Sequence, residues 1–320
     1  MTTPVLDIRD LSVSYHTDRG LLRALRNINI QIHPGRIIGI VGESGCGKST
    51  LISAIIRLLA PNAQIEGGSI LLRRHDLLGL EPEAMRALRG DEISMVFQDP
   101  MTSLNPVMTI GRQMTDIQYR DNRSKAEKLA RAASLLERVG IADPADQLKR
   151  YPHHLSGGMR QRVAIAMALM AEPALLIADE PTTALDAPLE VQIIQRLQQL
   201  QQDLGCSILF ISHHLGVIAE LCDEVVVMYA GEVVESGPTR DVFLKARHPY
   251  TRKLLECDPA RLEQATRNLP VIAGKLPDLV DIPAGCVFRP RCDESIDICT
   301  RERPTLDGGD HCTACHVSGQ

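Results

Sequence analysis

The stretch "GESGCGKST" at residues 42–50 decides the fold, because it lies between two segments of different texture. Before it runs the apolar "RIIGIV" (36–41), and after it "LISAIIRLLA" (51–60) has a helical pattern. Gly42, Gly47, Lys48 and Ser49 satisfy G-x-x-x-x-G-K-[ST] in the strand-before, helix-after setting that the pattern needs. Glycines let successive backbone N–H groups curl into a nest, and the helix start adds a partial positive charge. Lys48 then reaches the β- and γ-phosphates of a nucleotide, and the Ser49 hydroxyl ligates Mg²⁺. Gly42, Glu43, Ser44, Gly45, Cys46, Gly47, Lys48, Ser49 and Thr50 are therefore the expected phosphate-binding stretch.

Hydrolysis of that nucleotide also requires a carboxylate near the metal and a group that handles the attacking water. The segment "ALLIADEP" (174–181) supplies both at the end of a buried strand. Asp179 is the expected Mg²⁺ ligand through water, and Glu180 the expected general base.

Composition narrows the rest. The chain has 320 residues, 44% of them hydrophobic and 23% charged, as expected for a globular protein with one large core and a smaller appended unit. A net charge of −5, aromatics at 3% and no Trp leave neither a basic footprint nor stacking platforms, so nucleic acid is not an expected partner. "MTTPVLDIRD" resembles neither a secretory signal nor an anchor, and the most apolar stretch, "VAIAMALMAEPALLIA", is broken by Glu172 and Pro173. Any membrane role is expected to come through a partner.

Alternation in "VLDIRDLSVSY" and "NINIQI" predicts half-buried antiparallel strands. Continuous apolar runs in "RIIGIV", "ALLIAD" and "CSILFIS" predict parallel strands buried on both faces. Helical patterns fall at about 48–59, 123–139, 157–171 and 187–203, and "DEVVVMYAGEVVESG" reads as two strands joined at Tyr-Ala-Gly. The expected fold is α/β: a mixed sheet core, an antiparallel part, and a helical subdomain inserted at about 99–172. A texture change after "HPYTRKLLE" puts a domain boundary near 255, with a small Cys-rich module over 256–320.

Together with the phosphate loop, "LSGGMRQ" (155–161) resembles the signature of the ATP-binding cassette family, whose other parts match in order over about residues 5–240. Ser156, Gly157 and Gly158 open a helix and make a second anion-binding start. The resemblance implies that two cassettes meet head to tail, so that this signature caps the γ-phosphate held by the partner. It also implies adenine stacking by Tyr15 in "LSVSY", sensing of Mg²⁺ and the membrane partner by Gln98 in "MVFQDP", and a dimer crossing at Asp186 in "TTALD". His213 in "ISHHLGV" matches the histidine that contacts the γ-phosphate; a second histidine at 214 stands where related cassettes commonly have Asp, and register with "FIS" favours His213.

Finer matches in "QDPMTSLNPVMTIGRQM", "YPHHLSGGMRQRVAIAMAL", "VMYAGEVVESG", "HPYTRKLL" and "GCVFRPRC" are similar to the D-type cassettes of the oligopeptide/dipeptide/nickel importers. This implies an ATPase subunit on the cytoplasmic face of the plasma membrane. Its partners would be two transmembrane permeases, a homologous second cassette in a heterodimer, and an extracytoplasmic solute-binding protein. A groove for a short permease helix is expected from Gln98 through "DPMTSLNPVM". A soluble cassette ATPase would carry two cassettes or a coiled-coil arm, and a half exporter its own fused spans; the sequence contains neither. Nothing in it separates peptide from nickel or another solute.

Nine cysteines divide into scattered ones and a tail group. Cys286, Cys292, Cys299 and Cys315 are separated by five, six and fifteen residues, with Cys312 close to the last. Zinc ribbons use tight C-x₂₋₄-C pairs, which only Cys312/Cys315 satisfies; the wider spacing suits a four-thiolate [4Fe–4S] cluster at least as well. The resembling importer subgroup has such clusters in some members. Zn²⁺ and metal-free thiols stay open as alternatives. Arg289 and Arg291, flanking Cys292, read either as counter-charges to a thiolate cluster or as solvated surface residues.

Overall fold

The structure, a computed structural model, describes residues 3–99, 103–182, 187–258 and 270–318. The chain folds as two compact units. One, the P-loop unit, comprises Leu6–Ile32, Ile37–Leu80 and Ser212–Gln320; the other, the helical unit, comprises Met1–Val5, His33–Arg36 and Glu81–Ile211.

The P-loop unit begins with β1 (Leu6–Thr17) and β2 (Gly20–Ile32), an antiparallel pair that sets Leu6 opposite Ile32 and Thr17 opposite Gly20. Leu6, Ile8, Leu11 and Val13 of β1 are buried, with Arg9 and Asp10 exposed between Ile8 and Leu11. Next, β3 (Ile37–Val41) is buried at all five positions and leads through the glycine-rich loop into α1 (Lys48–Ile55). The strands β4 (Ala63–Leu72) and β5 (His75–Asp76) complete an antiparallel sheet in the order β2-β1-β4-β5.

In the helical unit, α2 (Pro82–Leu88) precedes β6 (Ile93–Val96). The helices α3 (Ile110–Ile117), α4 (Lys125–Arg138), α5 (Pro144–Gln147) and α6 (Gly157–Leu169) follow. The start of α4 is fixed by a capping box: Ser124 accepts from the Glu127 N–H while the Glu127 carboxylate accepts from the Ser124 N–H. Then come β7 (Leu175–Asp179), α7 (Ala187–Leu204) and β8 (Ser207–Ile211), with β6, β7 and β8 parallel and hydrogen-bonded in that order. Among the described residues no strand falls between β6 and β7.

Returning to the P-loop unit, the chain forms α8 (Leu215–Leu221), β9 (Glu224–Tyr229), β10 (Glu232–Pro238), α9 (Thr239–Leu244), α10 (Pro249–Glu256) and β11 (Cys312–Thr313). Here the sheet order is β11-β10-β9-β3, with β3 and β9 parallel and the others antiparallel. The predicted hairpin forms with Tyr229 paired to Glu232, so Ala230 and Gly231 alone make the turn. Both have positive φ, 48° and 84°, the backbone that a two-residue hairpin with right-handed strand twist demands. No helix of the described residues is long and apolar enough to cross a membrane.

Candidate active site

The phosphate loop occupies the turn between β3 and α1 of the P-loop unit. Its glycines are required by space as much as by torsion. At Gly42, with φ of 152°, a Cβ would come within 2.2 Å of the Met228 carbonyl oxygen. At Gly47, with φ of 109°, it would meet Leu25 Cδ2 at 2.7 Å. Either substitution would push the loop off β9 or β2. Lys48 Nζ donates to the carbonyl oxygens of Gly42 (2.6 Å) and Glu43 (3.3 Å), so the ammonium is folded over the nest that its own loop makes. Cys46 packs beneath, buried, and burial pushes its thiol up, so it serves as filling and not as a nucleophile.

Two further groups flank the loop in this unit. Tyr15 on β1 donates its phenol to Thr50 Oγ1 at 3.3 Å, which tethers the half-buried ring beside the first turn of α1. Ser49 is exposed at that same helix start, where backbone N–H groups lack intrahelical partners. His213 and His214 precede α8, both exposed, with ring centroids 4.3 Å apart in an edge-to-face arrangement. The His214 N–H donates to Ser212 Oγ, and His214 is the N-cap residue of α8.

The acidic side of the chemistry sits in the helical unit. Asp179 ends β7, and Glu180 follows with φ of 46°, a left-handed backbone for a residue with a full side chain. A Glu180 N–H bond to the Ile211 carbonyl (2.9 Å) holds that conformation. Backbone strain of this kind, about 1–3 kcal/mol, persists where the surroundings impose it and clusters at functional positions. Gln98, just beyond β6, donates its amide nitrogen to Glu180 Oε2 at 2.8 Å. Two residues 82 positions apart, singled out separately in the sequence, thus come together.

Also in the helical unit, Ser156 caps α6 by accepting from the Met159 N–H, Gly158 is buried, and a Cβ on Gly157 would meet open space. The signature therefore presents a capped helix start, and among the described residues none outside its own helix and chain neighbours comes within 4 Å of a Cβ on Gly157. Asp186 lies outside the described residues, as do Pro100, Met101 and Thr102 of the Gln98 segment.

In the tail, Cys299 is buried and Cys286, Cys292 and Cys315 half-buried. The Cys286 N–H bonds the Cys299 carbonyl at 2.9 Å. Burial pushes the Cys286 thiol up to about 11, with the nearby Cys299 and Cys315 adding to the rise; Cys292 is raised by burial too, and also senses Cys315 and Cys299. Cys286 and Cys292 therefore both lie within electrostatic reach of Cys299 and Cys315. Cys312 does not: its Sγ donates to the Gly309 carbonyl, and its electrostatic neighbours are Asp307, Arg247 and Asp310. Among the described residues no three His, Cys, Asp or Glu side chains are drawn into metal-ligand geometry.

Arg291 is not the solvated surface residue of the second sequence reading: its side chain is 3% exposed and pairs with Glu43 of the phosphate loop, 248 residues away. Sequence reasoning had no signal for that partner, because a single arginine in a loop-rich tail has no periodicity that could point at one.

Comparisons with known proteins agree with this geometry. Residues 25–183 match the ABC transporter family, and residues 234–299 match the oligopeptide/dipeptide transporter C-terminal region. A probable peptide ABC transporter ATP-binding protein of Sinorhizobium fredii is 44% identical over 99% of this chain and 96% of its own length. The dipeptide transport ATP-binding protein DppD of Bacillus subtilis is 44% identical over 99% of this chain and 95% of its own. Among solved structures, the ATP-binding cassette MJ0796, captured as a post-hydrolysis dimer with ADP and Pi, superposes with a TM-score of 0.66. It is 28% identical and covers 73% of this chain and 99% of its own. A phosphate loop, a signature helix and a Gln98–Glu180 pair on a chain alike from end to end have one reading: this protein belongs to the ATP-binding subunits of ABC transporters, in the branch that carries the oligopeptide/dipeptide transporter C-terminal region.

Proposed function

We propose that this chain is the ATP-hydrolysing subunit of an importer that takes up short peptides through partner permeases. The observation that carries it is end-to-end similarity to peptide and dipeptide transport ATP-binding proteins, C-terminal region included. In this reading Lys48 and the loop N–H groups bind the β- and γ-phosphates of ATP, and Tyr15 stacks on adenine. Glu180 takes a proton from the attacking water. Mg²⁺, when bound, neutralises charge that develops on the phosphate oxygens. The residues that would hold it, Ser49, Asp179 and Gln98, each offer oxygen, the hard kind of donor that suits it. Gln98 fits that role: its amide nitrogen donates to Glu180, and its amide oxygen would be the donor to the metal. His213 contacts the γ-phosphate, while Ser156, Gly157, Gly158 and Asp186 act across a head-to-tail dimer on the partner's ATP.

The assembly would comprise two permeases, a homologous second cassette and an outer solute-binding protein, with this chain on the cytoplasmic face. In the same stretch of sequence as Gln98, the apolar side chains of Phe97 and Val107 are exposed, and in this reading they would receive a permease helix. Reconstituted with its permeases and second cassette, the complex should hydrolyse ATP faster when a peptide-loaded binding protein is added. Stimulation by nickel-loaded and not peptide-loaded binding protein would reassign the solute.

The segment after 255 is in this reading a separate module with its own centre, held by Cys286, Cys292, Cys299 and Cys315. The electrostatic reach of Cys299 and Cys315 to Cys286 and Cys292 supports it, and [4Fe–4S] is preferred to Zn²⁺. Such bonds would supply folding energy to a segment poor in periodic apolar residues. Anaerobically purified protein should be brown, with about four iron and four sulfide per chain. Colourless protein with stoichiometric zinc would favour the alternative metal, and protein with neither would remove the centre.

A further inference from the structure

The surroundings of Arg291 suggest a task that the hydrolytic machinery does not include. All five of its N–H donors are used. Nη1 donates to Glu43 Oε2 (2.7 Å) and to the Tyr229 phenol (3.3 Å). Nη2 donates to Glu43 Oε1 (3.0 Å) and to the Ile272 carbonyl (2.8 Å), and Nε to the Ala273 carbonyl (3.0 Å). A guanidinium with every donor satisfied and a fork-to-fork carboxylate pair is fixed in position and orientation. Below it, Tyr229, Tyr250 and Phe288 pack with centroids 4.7 to 5.4 Å apart, and the Tyr250 phenol accepts from the Glu43 N–H at 2.9 Å. Glu43 is thus held at both ends: its backbone by α10 and its carboxylate by the tail.

Glu43 is the second residue of the phosphate loop, and its carbonyl oxygen accepts from Lys48 Nζ. An unpaired carboxylate there would repel the polyanion that the loop exists to hold. We infer that Arg291 is a positioning residue for ATP binding: the C-terminal module neutralises Glu43 and fixes the entry to the phosphate loop, making the tail part of the nucleotide site. Since coupling between two sites is reciprocal, bound nucleotide must in turn tighten the tail.

The test uses the full-length chain with Mg·ATP as probe. Amide exchange over residues 286–292 should slow severalfold at saturating Mg·ATP in the wild type and not in Glu43→Gln. Arg291→Met should weaken Mg·ATP binding about tenfold or more, Arg291→Lys by an intermediate amount, and Arg291→Met/Glu43→Gln no more than the worse single change. Arg303→Met is the control. Arg303 also ties the tail down, through Glu232 and the Pro283 carbonyl, but does not touch the loop, so its affinity for Mg·ATP should stay within about twofold of wild type. Exchange in the tail that ignores nucleotide would overturn the proposal. So would losses that multiply in the double variant, or an Arg303→Met defect equal to that of Arg291→Met. If Arg291→Met does not fold, the wild-type and Glu43→Gln exchange comparison decides alone.

Discussion

At the scale of single residues, charge and geometry are matched to phosphate at each position of the loop. Lys48 is the only side-chain cation the loop itself contributes, and its ammonium is already folded over the nest by two carbonyl bonds. Lys48→Ala removes a charge-assisted contact to two phosphates, so Mg·ATP affinity should fall by at least about tenfold, which is about 1.4 kcal/mol. Equilibrium binding to the isolated chain checks this, and unchanged affinity would mean that the ammonium faces no phosphate. Lys48, Gly42 and Gly47 were legible in the sequence because a phosphate nest constrains residue type at fixed spacing. Asp179 and Glu180 were legible through the apolar run before them. The positive φ of Glu180 and its bond from Gln98 were not, because a torsion imposed by β8 leaves no trace in residue type.

At the scale of elements, the start of α10 is a knot. Glu235 on β10 is fully buried, with Oε1 accepting from the Arg247 N–H (2.7 Å) and lying 2.7 Å from His311 Nε2, and Oε2 accepting from the His248 N–H (3.0 Å). His248 caps the helix through Nδ1, which accepts from the Tyr250 N–H at 3.0 Å. Burial, with the charge of Arg252 adding, pushes the His248 imidazole down to about 3. In the unfolded chain it titrates near its ordinary value of about 6.5. Between these values the unfolded chain binds the extra proton, so this group's contribution to stability is complete above about pH 6.5 and is lost as pH falls toward 3, by up to roughly 1.4 kcal/mol per pH unit. His248→Asn keeps an acceptor for the Tyr250 N–H and removes the titration. The urea midpoint should therefore drop less between pH 7 and pH 5 in that variant than in the wild type, and equal drops would place the acid sensitivity elsewhere. The strand–turn–strand over 224–238 was readable from two apolar runs joined at Tyr-Ala-Gly, and α4 from its helical pattern; the capping box that starts α4 was not read. The strand β11 was not, because two residues have no period, and neither was the Glu235 knot, whose partners come from two segments more than sixty residues apart.

At the scale of the whole molecule, the chain has the parts of an ABC ATPase and a tail that reaches the phosphate loop through Arg291. The family was legible because seven motifs in fixed order specify it far more tightly than any one alone. The tail was legible as a change of texture, a subgroup match and a thiol pattern, but not in its contacts to the loop, which span nearly the whole chain and depend on the fold that brings them together. The measurement that bears most directly on the central claim is the rate of phosphate release by the assembled transporter carrying Glu180→Gln, with Mg·ATP binding measured in parallel. Binding should be retained, and hydrolysis at this chain's own site should slow roughly a hundred- to ten-thousand-fold. The total rate should then fall to no more than the share belonging to the second cassette. Phosphate release at the full wild-type rate would contradict the assignment of Glu180 as the base.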